Sequence, residues 1–149
     1  MGSPQFTLTI ESRLDSVHAL AAMARRASES AGLSGDELNE VELCITEAAN
    51  NAIKHAYLGE SKFVVELVVT VLPDSIVFDL FDSGVSAEAS IMEADRRHLL
   101  DVAPGSDGPE ESGRGIAIMQ SLMDSLEYIA GPRNRLRLTR RLPRSGKES

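Results

Sequence analysis

Apolar residues recur at two different periods along the chain, and the switches between them mark its elements. Phe6, Leu8 and Ile10 alternate with polar residues, the period-two pattern of a half-buried strand over residues 6–10. Leu14, Val17, Ala21 and Ala24 then follow helical spacing, and Ser12 with Asp15 three residues on fits a helix-capping pair. This alanine-rich face allows close packing on a neighbouring layer, and Gly32 tolerates the left-handed backbone of a helix end. Ser34 and Glu37 repeat the capping pair ahead of a second helix. Its buried stripe is Leu38, Val41, Ile45, Ala48, Ala52 and Ala56, and Gly59 closes it. Residues 62–72 are rich in β-branched side chains and predict a strand; Pro73-Asp74 predicts a tight turn and residues 75–81 the returning strand.

Periodicity fails between residues 86 and 112. Residues 91–100 have room for a short helix, but the stretch from Ala103 to Gly113 is too dense in glycine and proline for regular structure. So irregular a segment inside a compact domain is functional or disordered. Residues 115–123 predict a third helix, and residues 126–130 and 135–142 a closing hairpin across Gly131-Pro132. The order strand, two helices, hairpin, loop, helix, hairpin predicts an α/β two-layer sandwich, with helices on one face of a mixed, mostly antiparallel sheet. The 149 residues match the size of a single domain, with its core at about residues 6–142.

Composition narrows the function classes. Hydrophobic residues make up 42% and charged residues 26%, a globular profile, and with only 4% aromatics and no Trp the core is aliphatic. No apolar run approaches the roughly 20 residues that cross a bilayer. No charged-then-apolar signal segment opens the chain, so the cytoplasm is the expected compartment. A net charge of −8 argues against direct nucleic-acid binding. The single Cys44 excludes an internal disulfide and a cysteine metal cluster, and its helix face makes it a small core residue. Basic residues crowd the C-terminal end: Arg133, Arg135, Arg137, Arg140, Arg141, Arg144 and Lys147. The first three alternate with Asn134, Leu136 and Leu138, which reads as the solvated face of a strand or as a docking surface for an acidic partner.

Three short patterns carry candidate chemistry. On the second helix, Glu47, Asn51 and His55 stand four residues apart, so they stack along one stripe. Such a stripe is a polar helix edge in water, or it is a site in which Asn51 gives Mg²⁺ a neutral oxygen while Glu47 accepts a proton. Asp82 falls in phase with Ile76, Phe78 and Leu80, so its carboxylate points toward an apolar layer and needs a donor there. An adenine amino group is a fitting one, and Gly84 lets the backbone approach a flat base; the plainer reading is a strand-ending turn. Gly113 and Gly115 open the third helix, where unpaired amides and the helix dipole suit phosphate oxygens. Arg114 between them adds a charge contact to phosphate or is solvated.

Taken in order, Glu-x-x-x-Asn on a helix, Asp-x-Gly after a strand and Gly-x-Gly opening a helix, the chain resembles the GHKL ATPases. Within them it looks most like the anti-sigma factor serine-protein kinases. The match is strongest at Glu47-Ala-Ala-Asn-Asn51-Ala-Ile-Lys-His55-Ala-Tyr57 and along residues 113–127, and it runs from about Phe6 to Leu142. The resemblance implies the GHKL (Bergerat) ATP-binding fold, with Glu47 as general base and Asn51 as Mg²⁺ ligand. It implies Asp82 and Gly84 at the adenine, and Gly113 and Gly115 at the phosphates of ATP. Residues 86–112 become an ATP lid, and His55 an orienting or structural residue. It further implies phosphorylation of a serine on a STAS-domain anti-sigma factor antagonist, capture of a sigma factor in the other state of a partner-switching circuit, and a homodimer. Three positions depart from many relatives: Ser86 where a second glycine is usual, Pro132-Arg-Asn-Arg135 where Gly-Thr supports the adenine Asp, and Asn50 where Thr precedes the Mg²⁺ ligand. These departures leave a second reading, a catalytically weak or inactive module that works by sequestering a regulatory partner. A histidine-phosphorylating sensor kinase fits less well, since no histidine-bearing helical hairpin is attached.

Overall fold

The computed structural model describes residues 3–56, 63–84 and 109–143, with side chains at 3–54, 63–84 and 114–143. Five strands form one sheet in the order β1-β2-β3-β5-β4. They are β1 (Gln5–Glu11), β2 (Val64–Val71), β3 (Ser75–Asp82), β4 (Ser125–Ile129) and β5 (Asn134–Arg141). Every pairing among them is antiparallel, so the parallel component of a mixed sheet is not found among the described residues. Among the described residues three α-helices, α1 (Val17–Ser30), α2 (Asp36–Asn51) and α3 (Pro109–Leu122), pack with the sheet in an α/β fold.

The period-two pattern gives each strand a helix-facing side; β3, in the middle of the sheet, is buried on its other side as well, at Val77 and Asp79. Val65, Leu67 and Val69 of β2, Ile76, Phe78 and Leu80 of β3, and Leu136 and Leu138 of β5 are buried in one core. Leu20, Ala24, Val41, Ile45, Ala48, Ile116 and Met119 meet them from the helices. The alanines of α1 and α2 let these helices approach closely, as their spacing predicts. Cys44 lies in the same layer, fully buried, and burial pushes its thiol up to about 12. A thiol this protonated and covered is inert. Native protein at pH 8 is therefore expected to resist labelling by a disulfide reagent and to take up one equivalent only after unfolding; rapid native labelling would contradict this packing.

Helix ends follow the sequence in part. α1 closes on Gly32 at φ 109 with the paired hydrogen bonds of a Schellman end, Leu33 N–H to Ser28 C=O at 3.0 Å and Gly32 N–H to Glu29 C=O at 3.1 Å. At the start of α2 the Glu37 carboxylate accepts from the Ser34 N–H at 3.2 Å, the backward half of the expected capping box. The first capping pair does not form. Ser12 instead ties the end of β1 to the start of β2: its N–H donates to Phe63 C=O at 2.8 Å, and its hydroxyl accepts from Phe63 N–H at 3.3 Å. Asp15 pairs with Arg13 on the surface, and a short 3₁₀ turn, Leu14–Ser16, intervenes before α1. Leu14 consequently faces solvent at 52% exposure and is not part of the buried stripe.

α3 also begins earlier than expected. Proline suits the first helical position and acidic residues suit the first turn, and Pro109-Glu110-Glu111 supplies both. Gly113 and Gly115 therefore stand inside the helix and do not open it. The lid assigned to residues 86–112 lies outside the described residues except for its last four positions, which are helical.

The arginines of β5 and of the turn before it separate by face. Arg137 grips Asp79, its cross-strand partner on the open face, with two hydrogen bonds of 2.7 and 3.0 Å. Arg135 Nε lies 3.9 Å from the same carboxylate. Arg133 pairs with Glu66 and stacks over the Phe81 ring at 4.0 Å. On the opposite face Arg140 reaches Glu40 at 2.8 Å and the carbonyl of Leu122, at the negative end of α3. Arg133, Arg137 and Arg140 are engaged within the chain, which favours the strand-face reading over a docking surface for an acidic partner.

Candidate functional site

The first cluster forms where α2 meets α3. Glu47 and Asn51, one turn apart, are both half-buried on the side of α2 that packs against α3. Gly115 on α3 is buried against them. A Cβ at Gly115 would lie 2.8 Å from Glu47 Oε1, 3.5 Å from Asn51 Nδ2 and 3.6 Å from Glu47 Cβ. Gly115 has no positive φ; among the described glycines only Gly32 and Gly35 do. Its backbone conformation does not demand glycine, so the requirement is close approach: the missing side chain leaves room for the Glu47 carboxylate. The structure thus joins the helix motif to the glycine motif through one contact. Arg114 beside it is exposed.

His55 belongs to a different local register. α-Helical geometry ends at Asn51, and a π-helical turn, Ala52–Ala56, follows. The four-residue stacking argument therefore applies to Glu47 and Asn51 and stops before His55. π-Turns of this kind occur frequently at functional sites.

The second cluster forms at the ends of β3 and β5. Asp82 continues the helix-facing side of β3 and is 9% exposed. Its Oδ1 accepts two hydrogen bonds, from Gly84 N–H at 2.9 Å and from Asn134 Nδ2 at 2.8 Å. The first closes a turn that places Gly84 directly past the strand. Asn134, the register partner of Asp82, is 1% exposed. It also donates to Gly84 C=O at 3.0 Å and accepts from Gly131 N–H at 3.2 Å. Asp82, Gly84, Gly131 and Asn134 are thus one polar network with its donors and acceptors matched.

Asn134 is the residue that motif reading overlooks. The signal is present in the alternation: Asn134 falls in phase with Leu136 and Leu138, so a carboxamide is placed on the buried side of β5. A polar residue there needs partners, and Asp82 opposite supplies one.

The two clusters suit a nucleotide. A buried carboxylate with one oxygen already saturated presents its other oxygen to an amine donor on a flat base. A half-buried carboxylate and a carboxamide beside a helix backbone suit a hydrated cation and a proton transfer. Among the described residues no group of three or more His, Cys, Asp or Glu side chains forms a metal site. Mg²⁺ favours oxygen ligands and is commonly completed by phosphates and water, which suits a single carboxamide oxygen at Asn51. No described helix is long and apolar enough to cross a membrane.

Comparison with known proteins places the fold in a family. Residues 10–140 match the family model described as "Histidine kinase-like ATPase domain". The "Anti-sigma F factor" of Clostridium perfringens (strain SM101 / Type A) is 33% identical over 95 residues, covering 64% of this chain and 64% of that protein. The "Anti-sigma F factor" of Oceanobacillus iheyensis is 35% identical over 97 residues, 65% of this chain and 63% of that protein. The "Serine-protein kinase RsbW" of Staphylococcus epidermidis is 31% identical over 102 residues, 64% of this chain and 60% of that protein. The match spans slightly less than two thirds of each of these relatives. With the family model covering most of the chain and the α/β fold in agreement, this protein belongs to the histidine kinase-like ATPase domain family.

Proposed function

We propose that this protein is an ATP-dependent serine-protein kinase that also acts as an anti-sigma factor. Its substrate would be a serine on a STAS-domain anti-sigma factor antagonist, within a partner-switching circuit. The observation that carries the proposal is the contact of Gly115 with Glu47 and Asn51, which gathers a proton acceptor, an oxygen ligand and a helix backbone at one point. The names of the relatives, anti-sigma F factor and serine-protein kinase, support the same class of activity.

Each residue has a distinct task in this reading. Asp82 accepts from the adenine amino group, and Gly84 borders the base. Asn51 would hold Mg²⁺, which would neutralise charge on the triphosphate when bound. Glu47 takes the proton from the serine hydroxyl as its oxygen bonds to the γ-phosphorus and the bond to the ADP oxygen breaks. Gly113 and Gly115 offer backbone amides to the phosphates, with Arg114 adding charge. Since α3 starts at Pro109, this last task requires the turn at residues 109–112 to unwind when nucleotide binds. Residues 86–112 would form the lid, with the chain acting as a single domain and as a homodimer.

The alternative, a binding-only module, draws on the departures at Ser86 and at residues 132–135. Asn134 donates to Asp82 at 2.8 Å, so the departure at residues 132–135 still leaves that carboxylate with a side-chain donor, which supports the kinase reading. The test is transfer of labelled γ-phosphate from Mg-ATP to a STAS-domain protein. Label on a serine is the expected result. Tight nucleotide binding with no label on any STAS partner would favour the alternative.

A further inference from the structure

We infer that Arg140 is a positioning residue: by holding the end of α3 against the start of α2, it sets the axial register of the two helices and with it the place of the Glu47 carboxylate beside Gly115. The inference rests on the reading of Glu47 as the proton acceptor.

Arg140 is in phase with Leu136 and Leu138, so β5 sends its side chain to the helix-facing side, where it is 13% exposed. A guanidinium this covered is costly without partners, and it has them on two elements at once. Nη1 donates to the C=O of Leu122, the last residue of α3, at 3.3 Å. Nη2 lies 2.8 Å from Glu40 Oε1 and 3.9 Å from Glu37 Oε2, in the first turns of α2. The negative end of α3 and the acidic start of α2 both attract a cation, and the rigid fork of arginine reaches both from a third element.

The second tie between these helices is the contact of Gly115 with Glu47 and Asn51. Glu40 and Glu47 are seven residues apart on α2, and Gly115 and Leu122 are seven apart on α3. The two ties therefore sit about 10 Å from each other along both helices. This equal spacing is what an antiparallel pair requires, with Arg140 at one end and the glycine contact at the other. Cys44 stands between them on α2, fully buried, with Arg140, Glu40 and Glu47 as its electrostatic neighbours. From Gly115 to Leu122 α3 carries no charged side chain of its own. Apolar contact is non-directional, so the fork of Arg140 supplies the directional contact that fixes where α3 stops. The room for the carboxylate exists only opposite Gly115, since Arg114 and Ile116 on either side bear side chains.

The test uses Arg140→Met and Arg140→Lys. Met keeps an apolar stem of similar reach, and it leaves behind only Glu37 and Glu40, which are half-buried and can be hydrated, so the fold is expected to persist. Lys keeps the charge without the fork. Single-turnover transfer from Mg-ATP to a STAS-domain protein is expected to fall about 10²-fold in Met, the scale of an ångström's misplacement, and less in Lys. Affinity for Mg-ATP should stay within a small factor, because Arg140 lies about 20 Å along β5 from Asn134.

The second readout needs neither nucleotide nor partner. Cys44 lies between the two ties, so its labelling by a disulfide reagent in native protein at pH 8 reports how often the helices part there. Labelling should be fastest in Met, slower in Lys and slowest in the wild type, the reverse of the order of transfer rates. Val17→Ala, a core truncation on α1, is the control for lost stability: it should lower Tm and keep the wild-type transfer rate. If Met behaves as this control does, losing Tm and keeping transfer, Arg140 is merely structural and the inference is overturned. Slow transfer in Met with Cys44 no more reactive than in the control overturns it too. Glu47→Gln separates this inference from the reading beneath it. Transfer at the wild-type rate in that variant removes the proton acceptor, and the role of Arg140 with it. If Glu47→Gln is slow and Arg140→Met is not, only the role of Arg140 fails.

Discussion

Glu47→Gln is expected to lower phosphate transfer by about 10²–10⁴-fold, the range for removal of a general base, while Mg-ATP still binds. Gln keeps the shape of Glu and a polar oxygen at the same place. The fit against Gly115, where a Cβ would come within 2.8 Å of Glu47 Oε1, is therefore preserved. What is lost is the capacity to accept a proton from the serine hydroxyl. The loss should fall on the rate of the chemical step and leave nucleotide affinity within a small factor, since Asp82 and Asn134 are untouched. Single-turnover transfer, measured beside equilibrium binding of Mg-ATP, separates the two. Transfer at the wild-type rate would remove Glu47 from the mechanism.

Gly115→Ala should produce opposite changes in stability and activity. Alanine is favoured over glycine in a helix interior by about 0.8–1 kcal/mol, and Gly115 has no positive φ to strain the new residue. The close contact falls on the tip of a flexible side chain, which can swing aside at little cost. The fold should be as stable as the wild type or slightly more so. The carboxylate, however, must move by part of an ångström or more, and misplacement on that scale costs about 10²-fold in rate. Urea denaturation with a transfer assay checks both signs at once. A variant as active as the wild type would mean that Gly115 does not position Glu47. A strongly destabilised one would mean that the helices cannot yield as the contact suggests.

How much of this was legible in the sequence depends on how local each cause is. The stripe from Leu38 through Ala52 and the shared face of Ile76, Phe78 and Leu80 in β3 are set by neighbours a few residues away, and their burial matches the pattern. The same holds for Gly32, whose left-handed φ ends α1. Ser12 shows the opposite case. Its spacing to Asp15 is that of a helix cap, yet its partner is Phe63, 51 positions on, and no local pattern contains that pairing. Arg133, just before β5, and Arg137 within it behave likewise: their character depends on Glu66 and Asp79, which only the sheet register brings alongside. Asn134 stands between these cases. Its phase placed it on the buried face, but its meaning required knowing that β5 lies beside β3 with Asp82 opposite. For the candidate site, the motifs identified Glu47, Asn51, Asp82 and the glycines by type and spacing. The reason for a glycine at 115 became apparent only from the packing of α3 on α2.

The central claim, that Asp82 and its network form an adenine-nucleotide site, is tested most directly by thermal unfolding with and without Mg-ATP, on the wild type and on Asp82→Asn. Ligand at a hundred times its dissociation constant stabilises the folded state by about 2.7 kcal/mol, and for a domain of this size that corresponds to a rise of several degrees in Tm. That rise is expected in the wild type and its loss in Asp82→Asn. An unchanged Tm in the wild type, or an equal rise in both proteins, would contradict it.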